Sequence, residues 1–574
     1  LAESLAKFIL PLTVSGSDKT KRQQHALSID DSQALSGANS APKDQSLEKL
    51  KLLHRKTIAV NPLTLENHPA YENIKAAENL IDTAWHAILA CCSTFFHASL
   101  DSDNYRALVR SFQKYTQVAG LLHMNVPRDA FMTTLGKNAM PPNILTATIP
   151  SASSQAPQTP SSLNNIKGLL NVENIVNQAS SFLPERRRQS LDAGEPTLNV
   201  RNLLCLRALV NLAIALGPSL ESSWTIVFET LQQADRVLTT SGSKPFRNVS
   251  SGSQTLIQGS DGQTTTQQIS TEVSAVQAAS SRLFESTAEL SNEAFLNVLR
   301  SLCGLVRKDT VHNVVQSPTS PPQTPGHKRR IASFSGLSVK TGVQEHDFLF
   351  TLTKLRELAT LNLGRFVNTA DESKSGWDMM LEEMTSIATD QDIPATARLL
   401  SVDLIRKLVI DSIGYPLDSS SDVEPAQAQA RALMPLRKVA KLFRRNSANY
   451  GSLGPDETAI EAHNIVLDTL RGLLEHSGEN LIDGWQSVFE VIHSSFRPPK
   501  ISKDSNLASD AVRPKLISVA LGRSAFSSLQ LICSDFLTSN LDLTLPTLVD
   551  LLHDFNAQEQ DLNMSLTVSV YSAL

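Results

Sequence analysis

Four tryptophans, each read as opening a helix of the same local pattern, constrain this chain more than any other feature. Trp224 opens Trp-Thr-Ile-Val-Phe-Glu, Trp377 opens Trp-Asp-Met-Met-Leu-Glu, and Trp485 opens Trp-Gln-Ser-Val-Phe-Glu. In each, apolar residues stand three and four positions after the indole (Val227/Phe228, Met380/Leu381, Val488/Phe489), and Glu follows. Trp85 is followed by Ile88 and Leu89, and Leu80-Ile81-Asp82 ahead of it matches Leu481-Ile482-Asp483 ahead of Trp485. This spacing puts the indole and its apolar followers on one helical face. An apolar run and a turn precede three of them: Gly217-Pro218, Asn368 to Gly376, and Ser477-Gly478. The predicted unit is helix, turn, Trp-led helix. Neither helix can bury its stripe alone, so successive pairs must stack, as in a HEAT- or armadillo-like solenoid. The intervals between tryptophans are uneven, which makes them landmarks in an irregular array and not copies of one short repeat.

The rest of the chain alternates between apolar periodic blocks and polar tracts. Tyr105, Leu108, Val109, Phe112 and Tyr115 recur at three- and four-residue steps, one stripe of an amphipathic helix. On such patterns 1–13 is the tail of a preceding helical region, and helical blocks cover 46–137, 198–238, 272–307, 343–416, 429–497 and 511–574. The intervening 14–45, 138–197, 239–271, 308–342, 417–428 and 498–510 are rich in Ser, Pro, Gly, Thr or Gln. They bury too little apolar area to offset chain entropy and read as disordered linkers. Both ends fall inside apparent helices, so the chain reads as a fragment of a longer protein. The predicted fold class is all-α, an irregular solenoid interrupted by linkers. Aromatic residues make up only 5% of the 574 positions, which disfavours a β-sandwich or barrel.

Chemistry is sparse. A formal net charge of −5 gives no general attraction to nucleic acid. Cys91, Cys92, Cys205, Cys303 and Cys533 lie in apolar stretches without CxxC or Cys/His spacing, as suits a reducing compartment. The apolar stretch from Asn202 to Leu216 carries Arg207 and Asn211 in its middle and reads as a buried helix, not a membrane span. Gly-rich phosphate loops, HExxH and GxSxG are absent from the sequence, and the thirteen histidines are scattered. No catalytic, metal-binding or cofactor-binding residues are assigned, and the expectation is a chain that is not an enzyme and takes no cofactor.

Two surface features stand out. Arg437, Lys438, Lys441, Arg444 and Arg445 flank the stripe Leu436, Val439, Ala440 and Phe443, either as a solenoid helix with a basic solvated face or as a docking face for a membrane or acidic partner. In the linkers, Arg186-Arg187-Arg188-Gln189-Ser190 and Arg329-Arg330-Ile331-Ala332-Ser333 put basic residues ahead of Ser. With the Ser/Thr-Pro steps at Ser317, Ser320 and Thr324, they make Ser190, Ser317, Ser320, Thr324 and Ser333 candidate phosphorylation sites.

Several stretches resemble the helical region downstream of the catalytic domain in the large Arf guanine-nucleotide exchange factors of the Sec-seven/BIG type. Asn125 to Leu135, with Pro127, Arg128, Asp129 and Phe131 at its core, resembles their first downstream block. Gly478-Glu479 with Gly484-Trp485 and Val488-Phe489 resembles a later one. Asn202 to Leu209 leading to Ser223-Trp224, Phe526 to Leu537 with Asp535 and Phe536, and Asp561 to Leu566 with Asn563 are more similar to the Mon-two protein family, whose members lack the catalytic domain. That resemblance implies a peripheral protein on cytoplasmic faces of trans-Golgi and endosomal membranes. It implies a non-catalytic scaffold for vesicle-mediated protein transport, working with a Dopey-type protein, a Neo-type flippase and an Arf-like GTPase. Two other readings stay open: the non-catalytic region of a genuine Arf exchange factor, and a solenoid nuclear transport receptor.

Overall fold

A computed structural model describes residues 1–13, 61–141, 197–240, 262–314, 337–417, 423–448, 456–498, 515–536 and 541–556. Among these residues there are 18 α-helices and no β-strand, only an isolated bridge between Phe496 and Leu516. The candidate phosphorylation sites and Asn563 lie outside the described residues.

The helices form two rows. The first holds α1 (Ala2–Ile9), α3 (Ser102–Leu121), α5 (Val200–Leu216), α7 (Gly262–Ser286), α9 (Leu337–Leu361), α13 (Ala395–Ile413), α15 (Glu457–Ser477) and α17 (Val519–Leu531). The second holds α2 (Tyr71–Phe96), α4 (Asn125–Asn138), α6 (Trp224–Thr240), α8 (Asn292–Val314), α12 (Trp377–Thr389), α14 (Pro425–Ser447), α16 (Trp485–His493) and α18 (Leu541–Asn556). The short helices α10 (Leu363–Asn368) and α11 (Glu372–Ser375) link α9 to α12. Within each row every helix packs on the one before and the one after, and the two rows face each other across one continuous apolar core running from Leu5 to Phe555. The molecule is an α-solenoid, in which each helix pair buries its stripe only by stacking on its neighbours.

Local sequence fixes the helix starts. Asn199 and Asn202 form a reciprocal capping box at α5, and the side chains of Asp456 and Ser518 accept from backbone N–H groups at the starts of α15 and α17. The hydrophobic stretch of α5 is packed against α3, α4 and α7, and its Arg207 pairs with Glu272 of α7 at 3.2 Å. By length and composition alone α5 resembles a membrane span, but most of it is buried inside the solenoid.

Several boundaries differ from the sequence reading; α14, for one, starts at Pro425 inside 417–428. The helix α7 begins at Gly262, inside the tract assigned to the 239–271 linker; α8 runs on to Val314 and α9 starts at Leu337, both inside 308–342. Once a helix is nucleated on a buried stripe, each added residue gains a backbone hydrogen bond, so polar residues without periodicity can extend it.

The tryptophan pattern needs one correction. Trp224, Trp377 and Trp485 are the first residues of α6, α12 and α16, and all three are buried. Trp85 lies in the middle of α2 and is only half-buried. Ahead of Trp224 the chain breaks in the turn Gly217–Ser223, where Glu221 has φ of +49°, and ahead of the other two the residue before the indole makes the break. Gly376 and Gly484 adopt φ of +82° and +101°, a left-handed conformation that stops any incoming helix. Ala84 stands in that place before Trp85 and lets the helix continue. All four nevertheless belong to the second row, and they occupy every other described helix of it: α2, α6, α12 and α16.

Candidate interaction surface

The residues picked out in the first homology block are core and clamp, not surface. Phe131 is fully buried at the junction of α4 and α3, with ring centroids 4.5 Å from Phe112 and 4.8 Å from Tyr115. Pro127 sits in the first turn of α4, where its missing N–H has little consequence. Arg128 is buried beside it. Its Nε donates to Asp129 at 2.7 Å, one terminal nitrogen donates to the Ser219 carbonyl at 2.5 Å, and the other donates to Ser223 Oγ at 2.9 Å. The Ser223 hydroxyl in turn donates to Asp129 at 2.6 Å. The segment clamped in this way is the turn immediately before Trp224.

The same device recurs. Arg431 of α14 donates to the carbonyls of Val367, Thr369 and Ala370 ahead of α12, at 2.5, 2.7 and 3.3 Å. Gln429 of α14 donates to Asn480 O at 2.9 Å and accepts from Ile482 N at 2.8 Å, ahead of α16. Each turn before a Trp-led helix is thus held by a polar side chain from a neighbouring helix of the second row. Arg365 does similar work between the rows, donating to Leu290 O at 2.6 Å and to Asn292 Oδ1 at 2.5 Å while lying over the Phe295 ring. A guanidinium supplies five donors in a rigid fork, which suits it to several turn carbonyls at once.

An ionic knot joins α6 to α9. Asp235 and Asp347 are buried, Arg236 pairs with Asp347, and His346 Nε2 lies 3.2 Å from Asp235. The hydrogen bonds to Asp235 and then Asp347 raise the His346 pKa to about 9. His463 is the opposite case. It is fully buried, stacked on Phe443 and hydrogen-bonded to Ser494 Oγ at 2.7 Å, and burial lowers its pKa to about 3. Two crevices, between α10 and α14 and between α13 and α15, are lined by core side chains that include neither histidine and have room for no more than a water molecule. No cluster of His, Cys, Asp and Glu suited to a metal occurs among the described residues.

The basic run of α14 divides in two. Arg437 forks onto Glu490 of α16 at 2.5 Å, Lys438 reaches Asp378 of α12 at 3.2 Å, and Arg444 Nε donates to the Phe496 carbonyl at 2.9 Å. These three tie the second row together. Lys441 and Arg445 face solvent. Arg497 N donates to Lys515 O at 2.7 Å, and both of these residues are exposed as well. Asp535 is exposed in the π-turn Ile532–Phe536, and the side chain of Phe536 lies outside the described residues.

Sequence reasoning missed the clamps and the knot, whose only signal is a charged residue placed within an apolar stripe, such as Arg431 beside Ala432-Leu433 and Asp347 beside Phe348. No family model matches the chain. It is similar to the Protein MON2 homolog of Schizosaccharomyces pombe, with 24% identity covering 89% of this chain and 32% of that protein. The Xenopus laevis homolog is 24% identical over 90% of the chain and 26% of its own length, and the human homolog 22% identical over 85% and 24%. The similarity to Mon2 proteins runs through most of the chain. The chain spans between about a quarter and a third of the length of these Mon2 relatives.

Proposed function

We propose that this chain is part of a non-catalytic scaffold for vesicle-mediated protein transport between Golgi and endosomes, holding partner proteins along its two helical rows. The observation that carries this reading is the similarity to Mon2 proteins over 85–90% of the chain. The architecture supports it, since stacked helix pairs expose long continuous faces suited to large partners. The partners we propose are a Dopey-type protein, a Neo-type phospholipid flippase and an Arf-like GTPase. The exposed cations Lys441, Arg445, Arg497 and Lys515 suit a peripheral contact with an anionic cytoplasmic membrane surface. Affinity purification of the tagged full-length protein from its own cells tests the proposal. Recovery of the Dopey-type protein and the flippase is expected, and recovery of nuclear transport cargoes in their place would overturn it.

A further inference from the structure

One junction of the solenoid is built from polar groups. Along the first row, α7 and α9 touch less than any other neighbouring pair of helices among the described residues. The face of α9 turned toward α6 and α7 carries Asp347, Thr351, Lys354 and Asn362, which share one side of the helix and are all buried. Asp347 pairs with Arg236 of α6, and the Lys354 ammonium lies 4.8 Å from the centre of the Phe284 ring of α7. Asn362 donates to Thr287 Oγ1 at 2.9 Å, just past the end of α7. Several atoms of this seam are buried without a hydrogen-bond partner in the protein: Gln232 Nε2, Ser280 Oγ, Thr351 Oγ1 and Asn362 Oδ1. Helical spacing puts Gln232 on the face of α6 that carries Asp235 and Arg236, and Ser280 one turn before Phe284 on α7.

We propose that this seam is a hinge, about which the arm before it and the arm after it open and close, and that the ion cluster of Asp235, Arg236, His346 and Asp347 is the latch that holds it shut. An apolar interface resists opening in proportion to the area it would expose. This seam responds differently. Opening it lets water reach polar atoms that the closed form leaves unpaired, which offsets part of the cost of separating the helices. The two ends of the seam have different parts to play. At one end, Arg365 donates to the carbonyls of Ala288 and Leu290 at 3.2 and 2.6 Å and so forms the pivot. The latch stands at the other end of α9, about 24 Å along the helix from Asn362. A rotation of about 10° at the pivot moves α17, three helices further along the first row, by about 5 Å. The hinge therefore sets how far apart the two arms present their surfaces to a single bound partner. The inference goes beyond the scaffold reading and holds whatever pathway the chain serves.

Pulsed electron paramagnetic resonance on the full chain tests the hinge. Cys91→Ser and Cys92→Ser remove the accessible native thiols, and nitroxide labels are placed in pairs at exposed first-row positions changed to Cys. Each pair spans two steps of the row. Ala107 with Ala278 lies before the seam, Ala278 with Arg406 bridges it, and Arg356 with Glu461 lies after it. The bridging pair is expected to give a distance distribution about twice as broad as either of the others. Equal widths for all three pairs would overturn the hinge, and this reading needs no substitution within the seam. Asp347→Asn then tests the latch, since it removes the charge that Arg236 and His346 meet. It is expected to broaden the bridging pair further and leave the other two unchanged. Broadening of all three pairs, or of none, would overturn the latch.

Discussion

Arg128 donates to the Ser219 carbonyl at 2.5 Å across 91 residues of chain, joining the first homology block to the turn that launches Trp224. Arg128→Met would keep most of the apolar stem but remove all three donations, leaving the Ser219 carbonyl and the Asp129–Ser223 pair without their cation. The expected cost is about 2–4 kcal/mol, read as a lower denaturant midpoint and faster proteolysis between Gly217 and Ser223. Arg128→Lys should recover little, since an ammonium cannot fork onto the three acceptors. Equal stability of Met and wild-type chains would remove the clamp from the account of the fold.

The position of Trp85 gives a contrast within one residue type. Trp224→Ala empties a site where the ring is fully buried against Phe228, at a centroid distance of 5.5 Å, and should cost about 3–5 kcal/mol. Trp85→Ala removes a half-buried ring from mid-helix and should cost less than half of that. Thermal unfolding of the two mutants, measured side by side, checks the order.

Glycine substitutions separate backbone strain from helix propensity. Gly484 has φ of +101°, and a Cβ there would stand 2.7 Å from Leu433 Cδ1, so Gly484→Ala should destabilise by about 1–3 kcal/mol. Gly304 lies inside α8, and a Cβ added there would meet nothing within 4 Å, so Gly304→Ala should stabilise by about 0.5–1 kcal/mol. Chemical denaturation that gave both the same sign would contradict the assigned roles.

Much of the architecture was legible because it rests on periodicity. Stripes such as Tyr105, Val109, Phe112 and Tyr115 mark the buried face of α3 directly, and all four are buried. The row arrangement was not legible, since which helices become neighbours depends on contacts between distant segments. That is why the uneven tryptophan spacing makes sense only once α2, α6, α12 and α16 are seen to alternate along one row. Charged residues misled in a consistent direction. Arg437 and Arg444 read as a solvated or docking face, yet their guanidinium groups meet Glu490 and the Phe496 carbonyl, because a long side chain can reach over the stripe beside it to an acceptor that sequence does not locate.

Two histidines give opposite pH dependence. For His463 the folded pKa, about 3, lies below the ordinary histidine value, so the unfolded chain binds the proton first. Stability should therefore fall as pH drops below about 6.5 and level off near the folded pKa. For His346 the folded pKa, about 9, lies above the ordinary value. Its contribution is fully present below about 6.5 and is lost as pH rises through the folded pKa. Urea titrations from pH 4 to 9.5 should show His463→Gln flattening the acid limb and His346→Gln flattening the alkaline limb. Unaltered limbs would place the pH dependence elsewhere.

The basic edge of α14 can be divided by mutation into a structural part and a contact part. Arg444→Ala loses the 2.9 Å bond to the Phe496 carbonyl from a partly buried position and should cost about 1–2 kcal/mol. Lys441→Ala and Arg445→Ala remove exposed cations and should change stability by less than about 0.5 kcal/mol. If these two side chains meet an anionic membrane, the double variant should lower binding to phosphatidylserine vesicles, by about 1 kcal/mol for each cation removed. The effect should fade as added salt screens the surface. Cosedimentation with vesicles at two salt concentrations, alongside urea unfolding, reads both quantities on the same protein. Unchanged vesicle binding in the double variant would leave Lys441 and Arg445 as solvated faces of the solenoid and remove this edge from the membrane contact.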